Sequence, residues 1–151
     1  MARILVADDD DDMRLVLQIA LEQQGHTVTL ASNGTDALAV CLAGGIDFAM
    51  LDVTMPGLEG PEVVARVRAD PEHQGLPILL VSANSLYEDI NRGLDAGADD
   101  YITKPFQTFE LHRRVERMVW LSQDIAEAQE ERGKLRNKAK ATLARLSPRR
   151  P

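Results

Sequence analysis

Five short runs of branched apolar residues recur along the chain: Ile4-Leu5-Val6, Val28-Thr29-Leu30, Phe48-Ala49-Met50-Leu51, Ile78-Leu79-Leu80-Val81 and Tyr101-Ile102. Most are continuous rather than alternating, which is the pattern of strands covered on both faces in a parallel sheet. Between them, apolar residues return at helical spacing. Met13, Val16, Leu17, Ala20 and Leu21 share one face, as do Val63, Val64 and Val67, and then Leu86, Ile90 and Leu94. Gly25, Gly34, Gly44-Gly45, Pro71, Pro77 and Gly97 fall between these segments, where the chain has to turn. Strand and helix alternating five times with short connections predict a doubly wound α/β fold around a five-stranded parallel sheet.

In sheets of this kind the functional crevice lies at the carboxyl ends of the strands. The sequence places Asp8-Asp9 after the first run, Asp52 after the third, Ser82 after the fourth and Thr103-Lys104-Pro105 after the fifth. Three carboxylates, a hydroxyl and a lysine are thereby predicted to converge on one edge. Asp8 and Asp9 open a run of five aspartates, Asp8 to Asp12. At ~4 Å and an effective dielectric of ~20, each like-charge repulsion costs about 4 kcal/mol. A cation, a helix N-terminus or solvent has to offset that repulsion. Asp11 and Asp12 precede a helical stripe, where carboxylates cap free N–H groups; Asp10 is given to water around the ion or to solvent.

Composition narrows the function. The chain has 151 residues, 44% of them hydrophobic, enough for one domain and a short appendage. No run approaches the ~20 apolar residues of a membrane span. Met1-Ala2-Arg3 leads straight into a strand-like run without a signal-peptide pattern, so a cytoplasmic location and no membrane partner are expected. The single cysteine, Cys41, is read as a buried packing residue. His26, His73 and His112 share no spacing and are read as exposed surface histidines. Residues 1–121 hold 20 acidic and 9 basic side chains, a charge of −11, while residues 122–151 hold 4 and 8, a charge of +4. An acidic globule argues against nucleic-acid binding by the globular part.

The segments "ILVADDD", "MLDVTMPGLEG", "LLVSA" and "GADDYITKPF", in this order and spacing, resemble the receiver domain of two-component response regulators. The likeness runs from residue 3 to about residue 121. It implies a flavodoxin-like sheet of strand order 2-1-3-4-5 and a signalling phosphoacceptor rather than an enzyme acting on other molecules. In that reading Asp52 takes a phosphoryl group from a histidine kinase or phosphotransfer protein. Mg2+ (or Mn2+) would be held by Asp8, Asp9, Asp52 and the backbone carbonyl of Thr54, oxygen ligands that suit the ion. The resemblance further implies that Lys104 contacts the phosphoryl group, with a cis peptide between Lys104 and Pro105. It makes Ser82 the hydroxyl donor to that group and Tyr101 the aromatic that moves with it. Thr54 and Asn84 would tune how fast water removes the phosphoryl group.

Two rivals are tested by the same residues. A calcium loop starting at Asp8 needs glycine and glutamate where Met13 and Ile19 stand. A haloacid-dehalogenase-like phosphohydrolase also joins magnesium, an aspartyl nucleophile and a lysine on an α/β sheet. Its nucleophile follows the first strand in a D-x-D-x-T pattern, whereas position 12 here is Asp, and it needs more chain for a cap. Asp8 would carry the phosphoryl group in that protein, Asp52 in a receiver.

The division expected is a receiver domain over 1–121 and a basic helical extension over 122–151. Good helix formers fill the extension up to Pro148, with a three-four spacing through Met118, Leu121, Ile125, Ala128, Arg132, Leu135, Ala139, Thr142 and Leu146. As a continuation of the last receiver helix, residues 122–146 would add ~37 Å. Such a helix needs support, so it is expected to pair with another chain as a homodimeric coiled coil or to dock a downstream protein; the alternative is a partly disordered tail. Thirty residues cannot hold an ordinary DNA-binding domain, so output by protein contact is expected, unless the chain is a fragment whose enzymatic output domain is missing.

Overall fold

In the computed structural model, residues 1–83, 87–123 and 125–146 are described, the side chains of 125–129 excepted. Strands and helices alternate as β1 (Arg3–Ala7), α1 (Asp11–Gln23), β2 (Thr27–Ala31), α2 (Gly34–Ala43), β3 (Phe48–Asp52), α3 (Gly60–Ala69), β4 (Ile78–Ala83), α4 (Tyr87–Ala96), β5 (Asp100–Lys104), α5 (Thr108–Gln123) and α6 (Ile125–Leu146). The strands are parallel, in the order β2-β1-β3-β4-β5. Each predicted apolar run lies within one of them.

The pleat sends successive side chains to opposite faces. Ile4 and Val6 join Leu17 and Leu21 of α1 and Leu111, Val115 and Met118 of α5. Leu5 and Ala7 join Ala37 and Cys41 of α2, the three valines of α3, and Ile90 and Leu94 of α4. Between Arg3 at the start of β1 and Asp52 at the end of β3, both strands are apolar because both faces are covered. β2, at one edge, buries only Ala31, and Leu30 is 39% exposed. Val16 departs from the expected helical face: it is 54% exposed, and α1 seats itself on Leu17 and Leu21. Leu86 lies outside the described residues.

The C-terminal helix is present but does not run on from α5 into solvent. α6 lies against α5, α4 and β5, along the edge of the sheet opposite β2. Its buried row is Leu135, Ala139 and Leu143, a strict i+4 spacing, whereas Leu146 is 70% exposed and Thr142 is exposed. Leu135 joins the α1/α5 core, Ala139 and Leu143 the α2–α4 core, so α6 closes the sheet edge between two layers. Burying Leu135 and Leu143 contributes ~1.5–3 kcal/mol each. The row that a coiled coil would use is thus engaged within the chain, and covering β5 removes an open strand edge. Among the described residues no helix is long and apolar enough to cross a membrane.

Candidate functional site

The carboxyl ends of β1, β3 and β5 bring Asp8, Asp52 and Lys104 together. Each strand carries an apolar run that ends where the polar residue begins, so burial of the run fixes the position of the side chain after it. The Lys104 Nζ donates to Asp8 Oδ2 at 2.8 Å and to Asp52 Oδ2 at 3.4 Å. Asp8 is 1% exposed and Asp52 7%, while Asp9 faces solvent. One oxygen from each of the three aspartates lies within 4.8 Å of the others. This is a set of hard oxygen donors, partly open to water, of the kind a divalent cation takes.

The electrostatics point the same way. Burial, and then the Asp8 charge, push the Asp52 carboxyl up to about 6, against the pull of Lys104. Burial opposes the charge on Lys104, yet its bonds to Asp8 and Asp52 hold its pKa above the ordinary value. One lysine does not balance three clustered carboxylates, and a dication among them would relieve the repulsion that raises Asp52. The donor set therefore fits such an ion.

The walls of the site are built close. The Asp52 side chain accepts from the Thr54 N–H at 3.4 Å, and the Asp8 side chain from the Asp10 N–H at 2.9 Å. α3 starts against the backbone of Asp52: the Gly60 N–H donates to the Val53 carbonyl at 2.8 Å. A Cβ on Gly60 would stand 2.6 Å from the Asp52 carbonyl oxygen, so only glycine permits this approach. Ser82 follows Val81, the register partner of Asp52, and is fully buried; its Oγ donates to the Ala83 carbonyl at 3.0 Å. The Lys104–Pro105 peptide is cis. Tyr101 lies three residues back along β5, opposite Leu80, and is 6% exposed. Thr54 is exposed; Asn84 lies outside the described residues.

Several roles were not visible in the sequence. Asp10 is the N-cap of α1, its side chain accepting from the Asp12 and Met13 N–H groups at 2.9 and 3.2 Å. Asp11 pairs with Arg14, whose Nη1 also donates to the Asp8 carbonyl at 2.6 Å. The capping expected of Asp11 and Asp12 thus falls to Asp10, the residue with the extended backbone a cap requires. The three histidines are half-buried rather than exposed. His26 Nδ1 accepts from the Ala2 N–H, and burial lowers its pKa. Cys41 is buried, and burial pushes its thiol up to about 12, as suits a packing residue.

A profile described as the response regulator receiver domain matches residues 4–116. The chain belongs to that family. Receivers are signalling phosphoacceptors, not conventional enzymes. The chain is 41% identical over 112 residues to the uncharacterized transcriptional regulatory protein YkoG of Bacillus subtilis, covering 74% of this chain and 48% of that protein. It is 42% identical over 113 residues to the transcriptional regulatory protein TcrA of Mycobacterium tuberculosis, covering 75% and 44%. It therefore spans about half the length of these relatives. Among solved structures, a putative response regulator from Chloroflexus aurantiacus matches with a TM-score of 0.74 and 35% identity, over 78% of this chain and 97% of that one. The receiver domain of a Pseudomonas aeruginosa sensor histidine kinase, which has a magnesium ion coordinated in its active-site cleft, matches with a TM-score of 0.73 and 30% identity, covering 78% and 97%.

Proposed function

We propose that this receiver takes a phosphoryl group onto Asp52 from a phosphohistidine of a histidine kinase or phosphotransfer protein. The observation that carries this is the buried Asp52 carboxylate, with oxygens of Asp8 and Asp9 within 4.8 Å and the Lys104 ammonium at 3.4 Å. A carboxylate oxygen of Asp52 attacks phosphorus as the P–N bond breaks, and the electron pair leaves with the imidazole, which takes up a proton. Mg2+ (or Mn2+) held by Asp8, Asp9, Asp52 and the Thr54 carbonyl would neutralise charge on the transferring group. The magnesium in the Pseudomonas aeruginosa receiver supports that choice of ion. Lys104 holds a phosphoryl oxygen through its ammonium. Ser82, now bonded to Ala83, turns its hydroxyl to the new group, and Tyr101 on the neighbouring strand responds. Thr54, two residues after the acceptor in sequence, and Asn84, two after Ser82, set how readily water removes the phosphoryl group.

The signal then leaves by contact with a downstream protein, in the cytoplasm, without DNA binding by residues 122–151. The greater length of the relatives favours a second reading of output, in which this receiver governs a further domain of a longer regulator. The proposal is tested with a small phosphodonor such as acetyl phosphate and intact-mass spectrometry. The wild type gains one phosphoryl mass when Mg2+ is present and none in EDTA, and Asp52→Asn gains none. A label that survives Asp52→Asn and maps to Asp8 would favour the phosphohydrolase-like chemistry instead.

A further inference from the structure

Two rows of side chains run side by side on α6. Leu135, Ala139 and Leu143 are buried. Arg132, Arg136 and Lys140, each three positions before one of the next row or one position after, form a basic row at the same i+4 spacing. Every member of that row reaches the domain. Arg132 donates through Nε to Asp99 Oδ1 at 2.7 Å and through Nη1 to the Gly75 carbonyl at 2.7 Å. Arg136 donates to the Ala98 and Gly97 carbonyls, each at 3.0 Å, and to Asp99 at 3.4 Å. Lys140 pairs with Asp95 of α4. The basic extension is therefore bound to the acidic domain it follows.

This hold is built so that it can be undone. Asp99 is fully buried, but it also accepts from Arg68 Nη2 at 3.2 Å and from the Ile78 N–H at 2.8 Å. If α6 leaves, Asp99 Oδ2 keeps both of these partners and Arg68 keeps its carboxylate, while Oδ1, bonded only by Arg132 and Arg136, is given up to water. The carbonyl of Gly97 keeps its bond from Arg68 Nε, and that of Gly75 belongs to an exposed loop residue, while that of the buried Ala98 loses its bond from Arg136. The apolar seam is also incomplete. A cavity of about 120 Å³ remains between α5, β5 and α6, lined by Tyr101, Arg114, Leu135, Ala139 and Thr142 among others.

Tyr101 links that seam to the acceptor. Along the β4–β5 ladder, Ser82 pairs with Thr103 and Leu80 with Tyr101, and the two-residue period puts Ser82 and Tyr101 on the same face of the sheet. Tyr101 belongs to the same buried cluster as Ala139 and Leu143. A change at Ser82 thus reaches α6 through one strand pair.

We propose that α6 is a releasable strap: it covers the face formed by α4, β5 and α5 while Asp52 is unmodified, and phosphorylation of Asp52 lets it go. This rests on the phosphoacceptor reading. Because coupling between two events is reciprocal, loosening the strap also favours the phosphorylated state.

The test is hydrogen exchange by mass spectrometry on the full chain, with and without acetyl phosphate and Mg2+. The carboxylate of Asp52 displaces acetate from phosphorus, so the added mass reports phosphorylation in the same sample. Amides of 130–146 are expected to exchange about tenfold faster in the phosphorylated chain. The triple variant Arg132→Gln, Arg136→Gln, Lys140→Gln should show that faster exchange without phosphodonor and little further change with it. Lys140→Arg should behave as wild type. Phosphorylation without any change over 130–146 overturns the strap and leaves the phosphoacceptor reading intact. Absence of the phosphoryl mass overturns both. A triple variant whose 130–146 segment stays as protected as wild type overturns the basic row as the clasp.

Discussion

Asp52 is held in tension between burial and its neighbours, and that tension has a measurable sign. Its carboxyl titrates at about 6 in the folded protein and at 3.8 as an ordinary aspartate. Between these values the folded state binds more protons than the unfolded one, so the metal-free protein loses stability as pH rises through that window. Below about pH 4 both states are protonated and the effect vanishes. Asp52→Asn removes the charge, so in EDTA at pH 8 it should be more stable than wild type by up to about 3 kcal/mol, with the difference shrinking to nothing near pH 4. Urea denaturation at the two pH values checks this. Added Mg2+ should stabilise the wild type and leave Asp52→Asn nearly unchanged. The position of this residue could be read from sequence, because an apolar run ending in Asp at a strand terminus has few other uses. Which of the five aspartates would cap α1 could not, since five identical side chains differ only in backbone angles, and those depend on how β1 enters the helix.

At the scale of elements, two contacts decide whether the site keeps its shape. The first is the approach of α3 to the end of β3. An alanine in a helix is ordinarily favoured over glycine by ~1 kcal/mol. Gly60→Ala should reverse that sign, because its Cβ would meet the Asp52 carbonyl oxygen at 2.6 Å and the Val53 Cα at 3.0 Å. A loss of ~1–3 kcal/mol in denaturant, with slower phosphorylation than wild type, is the expected outcome. The second is the grip on Asp99, which anchors the base of β5. Arg68, Arg132 and Arg136 all face this one buried carboxylate. Asp99→Asn leaves three guanidinium groups short of their counter-charge and should cost ~3–5 kcal/mol. Asp95→Asn breaks an exposed pair with Lys140, 58% and 39% exposed, and should cost less than ~1 kcal/mol. Asp99 was present in the "GADDY" segment that carried the family resemblance, yet nothing in the sequence marked it as the partner of arginines 33 and 37 positions away.

For the molecule as a whole, periodicity predicted a helix with an apolar face beyond residue 121, found as α6 over Ile125–Leu146, but not what would cover that face. The row read from sequence holds Leu135 and Ala139 but goes on through Thr142 and Leu146, where the buried row takes Leu143, and either stripe reads the same whether its partner is a second chain or its own domain. The charge imbalance between the acidic domain and the basic extension was the one signal for the intramolecular answer, and the ion pairs to Asp95 and Asp99 show where it acts. With Leu135, Ala139 and Leu143 inward and the β5 edge covered, the described side chains of α6 leave no buried-type row free for a coiled coil in the unphosphorylated chain. Its mass by light scattering should be that of a monomer, 16.6 kDa. Leu143→Ala should lower stability by ~2–5 kcal/mol, because truncating a buried leucine leaves a cavity the seam cannot fill. The same substitution in a helix paired only with another chain would leave the domain's stability unchanged and shift the mass instead. A dimeric mass for the wild type that falls to a monomer in Leu143→Ala, at unaltered domain stability, would place the helix between chains and not on its own domain.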